Sequence, residues 1–151
     1  LDYGFTVKKL PRIISIAETV NTRSLAVMKR LGMTYDHETR NIGEGMEFDV
    51  VVAIYVHFPP EVRARMHRRM FETLKPGGIL ILEAFTPAQL NYQSGGPPVV
   101  EMLYTVDMLR IDFAGGEILL LEDAITELAE GKYHRGPAAV VRLVLRRPGM
   151  D

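Results

Sequence analysis

The sequence predicts an α/β fold, and three observations carry the prediction. An apolar, β-branched run at Phe48–Val56, a helical stripe after Pro60 and a second apolar run at Ile79–Phe85 follow one another within about forty residues. That is the spacing of a strand–helix–strand unit with parallel strands. Two further segments, Glu117–Ala129 and Ala138–Arg146, flank the turn-rich Gly131-Lys-Tyr-His-Arg-Gly-Pro137 and predict an antiparallel pair. The 151 residues are 47% hydrophobic and 25% charged, which suits one domain with a buried core.

From the amino end, Leu1, Phe5 and Leu10 fall at helical spacing, and Pro11 ends that segment. Arg12–Glu18 is short and β-branched, a strand. Asn21 has N-cap chemistry for a helix over Asn21–Leu31, whose face of Leu25, Met28 and Leu31 is closed by Gly32. Met33–Thr39 alternates as a strand, and Asn41–Gly45 is a turn-rich connector. Phe48–Val56 then reads as a strand buried on both faces, emptying through His57 and Phe58 into Pro59-Pro60. Two prolines with Glu61 in the first turn start a helix. Val62, Met66, Met70 and Leu74 recur every four residues with Phe71 beside them, so Arg63, Arg65, Arg68 and Arg69 are assigned to a solvated face.

Lys75-Pro-Gly-Gly78 stops that helix ahead of the strand Ile79–Phe85. Thr86–Val100 is a long polar loop carrying Tyr92, Gly95-Gly96 and Pro97-Pro98, and long loops in compact domains are often functional. Thr105–Phe113 is a short helix. Glu117–Ala129 stays ambiguous, because Ile118-Leu-Leu-Leu121 favours a strand and Asp123–Glu130 accommodates a helix.

A formal net charge of -1 gives no global attraction to nucleic acid or an anionic membrane. No apolar run approaches the roughly 20 residues of a membrane span. Lys8, Lys9 and Arg12 interrupt the first apolar run, so no signal-peptide pattern is present. With no cysteine, thiolate nucleophiles and thiolate metal sites are excluded, and His37, His57, His67 and His134 lack metal-ligand spacing. The expectation is a cytoplasmic protein acting on a small molecule, with no metal, no nucleic acid and no membrane partner. The start at Leu1 implies an upstream portion.

Asp49-Val-Val-Val-Ala-Ile-Tyr-Val-His-Phe-Pro-Pro60, Leu74-Lys-Pro-Gly-Gly-Ile-Leu-Ile-Leu-Glu-Ala-Phe-Thr-Pro87, Gly95-Gly-Pro97 and Glu130-Gly-Lys-Tyr-His-Arg-Gly136 stand in sequence order over about two-thirds of the chain. Together they resemble the C-terminal half of a class I S-adenosylmethionine-dependent methyltransferase, in its tellurite-resistance/thiopurine-like branch. The resemblance implies a partial doubly wound, Rossmann-like sheet with a C-terminal antiparallel hairpin over residues 47–151. Phe48–Val56 and Ile79–Phe85 are its fourth and fifth strands, with the cofactor across their carboxyl ends. The family's glycine-rich cofactor turn does not appear in the chain. Gly43-x-Gly45, its only candidate, precedes a strand and reads as a turn.

Residues 1–46 resemble something else. Leu1-Asp-Tyr-Gly-Phe5, Asn21-Thr-Arg-Ser24 and Val27-Met-Lys-Arg-Leu-Gly-Met-Thr-Tyr35 are similar to the C-terminal end of a GNAT-type N-acetyltransferase, a strand–helix–strand segment. That resemblance places Asn21 and Ser24 beside a coenzyme A arm. The join falls inside Phe48–Val56, a run both contexts accept. Arg12–Glu18, Asn21–Leu31 and Phe48–Val56 also suit a substitute strand–helix–strand unit, which sets Glu18 at a strand's carboxyl end, where an acid hydrogen-bonds a ribose.

Three readings follow: a truncated or fused methyltransferase-family domain, an inert remnant or binding module, and an acetyltransferase fragment. For methyl transfer the candidate base or substrate contact is His57 at the strand mouth, joined by Tyr133 and His134 in the closing turn. Tyr92, Gly95 and Gly96 form a candidate lid, and Glu83 a candidate proton acceptor. Ile54, Tyr55, Glu18 and Asn21 are the candidate cofactor contacts, S-adenosylmethionine first and coenzyme A second.

Overall fold

The structure is a computed structural model that describes Thr6 and residues 22–30, 32–34, 47–129 and 134–149. The chain forms two compact units, Leu1–Ile42 and Gly43–Asp151. In the first, α1 spans Thr22–Arg30 with Lys29 and Arg30 in its last turn, where cations complement the helix dipole. The Gly32 N–H bonds the Lys29 carbonyl at 3.0 Å and the Met33 N–H bonds the Met28 carbonyl at 3.1 Å. These paired bonds close the helix, and they need the left-handed backbone that Gly32 adopts at φ 74°. The predicted helix at Leu1–Leu10, the strand Arg12–Glu18, the cap at Asn21 and the connector lie outside the described residues. So does most of Met33–Thr39, of which Met33 and Thr34 are not in a strand.

The second unit is a four-stranded sheet: β1 (Phe48–Ile54), β2 (Leu74–Phe85), β3 (Glu117–Ala129) and β4 (Arg135–Arg146), in spatial order β1-β2-β4-β3. α2 (Pro60–Glu72) crosses over between β1 and β2, which pair in parallel, and α3 (Val106–Asp112) precedes β3. β4 enters between β2 and β3, antiparallel to both. The predicted parallel unit and antiparallel pair are both present. β3 settles the ambiguous segment, because it pairs with β4 from Glu117↔Arg146 to Ala129↔Arg135, and that ladder outweighs the helical pattern of its second half. β4 begins at Arg135, so part of the predicted turn belongs to the strand.

One sheet face carries the main core, and a smaller cluster of Phe85, Leu103, Leu128, Ala138 and Val140 is buried at the carboxyl end of β2. Ala53, Leu80, Leu82, Ala84, Val141, Leu143 and Leu145 are buried with Met70 of α2 and Leu109 of α3, and with Tyr104 and Phe113. Each buried leucine contributes about 1.5–3 kcal/mol by leaving water. The other face differs from expectation. β1 is not buried on both sides: Val50, Val52 and Ile54 are 43%, 60% and 45% exposed, and Ile81 on β2 is 38% exposed. A parallel pair is dry on both faces only where helices lie on both. Here α2 and α3 both join the core of the one face.

The glycines at 77 and 78 also differ from a simple helix stop. α2 ends earlier, with the Thr73 hydroxyl donating to the Met70 carbonyl at 2.9 Å, and Lys75–Gly78 opens β2. The Gly77 N–H bonds the Arg147 carbonyl, and the Arg147 N–H bonds the Gly78 carbonyl, each at 2.8 Å. A Cβ on Gly78 would lie 2.9 Å from the Lys75 carbonyl oxygen and 3.0 Å from that of Phe48. Among the described residues no helix is long and apolar enough to cross a membrane.

Gly78→Ala therefore forces backbone apart where β1 and β2 meet, and we expect a loss of about 1–3 kcal/mol in urea unfolding. Gly77→Ala meets open space and pays only for its positive φ, about 1 kcal/mol. Equal effects of the two substitutions would contradict the close approach at Gly78.

Candidate functional site

β1 leaves the sheet at its carboxyl end through Tyr55, which has a left-handed backbone at φ 54° although it is not glycine. Such a conformation costs on the order of 1–3 kcal/mol and persists only where neighbours hold it. Here the Tyr55 N–H donates to the Glu83 carbonyl at 2.8 Å and the Tyr55 hydroxyl to Glu83 Oε1 at 2.8 Å. The ring lies flat on Phe85, with centroids 4.6 Å apart and 12° between planes. Glu83 Oε2 accepts from Arg142 Nε at 2.6 Å. Ile54, Glu83 and Arg142 are register partners across β1, β2 and β4, so the cluster spans three strands. His134, just before β4, lies parallel to Tyr55 with centroids 6.3 Å apart.

His57 sits behind this cluster. Its Nδ1 is 2.7 Å from the Met102 carbonyl, and its Nε2 accepts the Phe85 N–H at 3.2 Å. A carbonyl accepts and an N–H donates, so the ring is neutral with its proton on Nδ1. Burial pushes its pKa below the ordinary value, and the Met102 bond opposes this less strongly. Tyr104 packs against His57 with centroids 4.9 Å apart, and its hydroxyl accepts the Phe58 N–H at 2.8 Å. Burial pushes that phenol up to about 12.

The Thr86–Val100 loop is pinned. It opens with a 3-10 turn, Pro87–Asn91, that buries Gln89. The Gln89 amide donates to Ser94 Oγ and to the Gly95 carbonyl, each at 2.9 Å, and its Oε1 accepts the Ala139 N–H of β4 at 2.8 Å. Ser94 Oγ donates in turn to the Pro137 carbonyl at 2.7 Å. Tyr92, Gly95, Gly96, Pro97 and Pro98 line a depression of about 320 Å³ on this loop. Gly96, at φ 95°, lies so close to Phe85 that a Cβ would come within 2.9 Å of the ring.

The structure thus gathers Ile54, Tyr55, His57, Glu83 and His134 at the carboxyl ends of β1 and β2, and Tyr92, Gly95 and Gly96 around one depression. Phe85 touches both groups, a role its place at the end of an apolar run did not disclose. Both nitrogens of His57 and both carboxylate oxygens of Glu83 are engaged within the protein. Tyr133, Glu18 and Asn21 lie outside the described residues. Among those described, no cluster of metal-ligating side chains occurs.

A second polar group escaped the sequence. Arg63, assigned to the solvated face, donates through Nε to Asp112 Oδ2 at 2.8 Å, and His67 Nδ1 reaches the same oxygen at 2.8 Å. His67 is fully buried between Tyr104, Phe113 and Phe58, and its Nε2 has no partner. Burial is the largest influence on its pKa and lowers it, outweighing Asp112, which raises it. Positions 63, 67 and 70 do share a face of α2, but two polar members disguised it, and Leu74, read with the apolar stripe, lies in β2.

No protein-family model and no curated protein matches the sequence. Solved structures do share the fold. One, from work on conversion of a disulfide bond into a thioacetal group during echinomycin biosynthesis, superposes with a TM-score of 0.60 at 14% identity, covering 86% of this chain and 63% of that one. TehB from Haemophilus influenzae gives 0.56 at 14% identity, covering 84% and 47%. An S-adenosylmethionine-dependent methyltransferase from Clostridium acetobutylicum gives 0.56 at 11% identity, covering 89% and 74%. The chain spans 63% and 47% of the length of the first two. At these identities the likeness is one of fold: the chain has a Rossmann-like, methyltransferase-type α/β sheet.

The buried His67 and the half-buried His57 set an acid limit on stability. Their folded pKa values lie below the ordinary 6.5, so the unfolded chain takes up more protons as the pH falls through that window. Their contribution is complete above about pH 6.5 and is lost as the pH drops through the folded values. Urea midpoints measured across this range should fall with pH, and His67→Asn should flatten part of the slope. A slope unchanged by that substitution would contradict a neutral, buried His67.

Proposed function

We propose that the chain is the C-terminal half of an S-adenosylmethionine-dependent methyltransferase-type domain, truncated or fused to an acetyltransferase-like segment, whose parent activity is methyl transfer to a small molecule. The observation that carries this reading is the order β1-β2-β4-β3, with one parallel crossover and an antiparallel β4 inserted before β3, superposing on a known methyltransferase. Open α/β sheets bind ligands beyond the carboxyl ends of their strands, where Tyr55, His57, Glu83 and His134 meet. The residues there fit part of the cofactor. The Tyr55 ring, stacked on Phe85 and parallel to His134, and the exposed Ile54 suit apolar atoms of the ligand. S-adenosylmethionine, when bound, supplies the methyl group. Tyr55 and Ile54 line its place, Glu83 and Arg142 fix Tyr55, and His57 positions the β1 exit. Tyr92, Gly95 and Gly96 line the depression proposed for the acceptor.

A second reading, a folded module that binds but does not catalyse, is favoured by one observation. The two best proton acceptors at the site, His57 Nε2 and the Glu83 carboxylate, already hold protein donors. The acetyltransferase reading, with coenzyme A as ligand, depends on Asn21 and Ser24.

Calorimetric titration with S-adenosylhomocysteine, with coenzyme A in parallel, separates the three. The leading reading expects binding of the first near about 10 μM and none of the second. No heat from either ligand, in a sample that unfolds cooperatively, would contradict it and favour the inert module. Heat from coenzyme A alone would favour the acetyltransferase.

A further inference from the structure

We propose that the exit of β1, Tyr55–Phe58, is held by an acid-released latch in which His57 is the trigger and Tyr104 the connecting ring. The geometry admits one charge state of His57. Its Nδ1 must donate to the Met102 carbonyl and its Nε2 must accept the Phe85 N–H, so the latch is shut only while Nε2 carries no proton. Protonation turns Nε2 into a donor facing another donor. Phe85 loses its acceptor, and the imidazolium keeps only the Met102 bond.

Tyr104 spreads the effect. Its ring lies between the two imidazoles, with centroids 4.9 Å from His57 and 5.0 Å from His67, and its hydroxyl takes the Phe58 N–H. His67 responds in the same sense. Protonating it sets an N–H at a buried atom with no acceptor and puts a second cation beside Arg63, with Asp112 to balance both.

The groups facing each ring are few. His57 meets backbone from the Val100–Met102 turn and from β2, the Tyr104 phenol, which burial keeps neutral, and, beyond that ring, His67, whose protonation a charged His57 opposes. His67 meets Arg63 from its own helix, Asp112 from α3, Tyr104, and the rings of Phe58 and Phe113. Among the described residues no carboxylate bonds His57, so nothing offsets its charge. Lowered pKa values at both rings agree with this. Mild acid thus loosens the mouth of the candidate site before the sheet yields, whether or not that site transfers methyl groups.

Amide hydrogen exchange on the whole chain, without ligand, tests the latch. As the pH is lowered from about 7.5 to below the ordinary imidazole value of about 6.5, and after correction for intrinsic rates, protection at Phe58 and Phe85 should fall about tenfold more than at Leu82 and Leu143. The His57 ring nitrogens should report protonation in the same window. His57→Gln, which can still accept from Phe85 but does not titrate there, should abolish the difference at Phe85. Protection at Phe85 that survives protonation of His57, that falls in step with Leu82, or that keeps its pH dependence in His57→Gln would overturn the proposal. If His57→Gln does not fold, the comparison of Phe85 with Leu82 in the unaltered chain decides alone.

Discussion

Glu83 ties the carboxyl end of the sheet together. Its backbone carbonyl receives β1 as that strand turns out at Tyr55, one carboxylate oxygen fixes the Tyr55 hydroxyl, and the other takes Arg142 of β4. Three strands are therefore joined at one half-buried carboxylate. A tyrosine forced into the left-handed region without these bonds would relax toward an ordinary extended exit, moving His57 and Phe58 with it. Everything proposed for function sits on that turn: the ring over Phe85, the imidazole behind it, and the loop whose Gly96 closes against the same phenylalanine.

The same strands present two unlike faces. Toward α2 and α3, leucines and a valine from β2 and β4 are buried beside Ala53 of β1. On the reverse, Val52, Ile81, Val144 and Leu120 stand in register across all four strands. Polar rows flank them, Glu83 with Arg142 on one side and Arg146 with Glu117 on the other. The exposed ion pair Arg146–Glu117 contributes little in water, so it borders the apolar row without stabilising it much. Strand geometry and ligand-site geometry are thus set by the covered face and by the carboxyl end.

What was legible in the sequence follows from distance along it. Phe48 to Phe85 was readable because a strand, a helix and a strand each show their own period and are consecutive. Gly32 was readable as a helix end because the bonds that require it are local. The whole-length pairing of β3 with β4 was less so, since residues 123–130 fit a helix and only the partner strand decides. The burial of β1 was overstated because its composition reports what the strand suits, and the covering elements lie elsewhere. Arg63, His67 and Asp112 could not be read at all. Their partners are 45 or more residues apart, and a helix face bearing Arg and His looks solvated until an acid from α3 arrives. Gln89 carries no signal of its own in the sequence, and only its bond to Ala139, 50 residues on, shows it as the pin of that loop.

The central claim is that ligand chemistry belongs to the carboxyl ends of β1 and β2. Amide chemical-shift mapping with S-adenosylhomocysteine addresses it directly. The account predicts the largest changes at Ile54–Phe58 and Glu83–Thr86, with Gly77 and Arg147 at the opposite end of the sheet undisturbed. Shifts concentrated at Gly77 and Arg147, or spread over the exposed Val52–Ile81 row with Tyr55 silent, would contradict it.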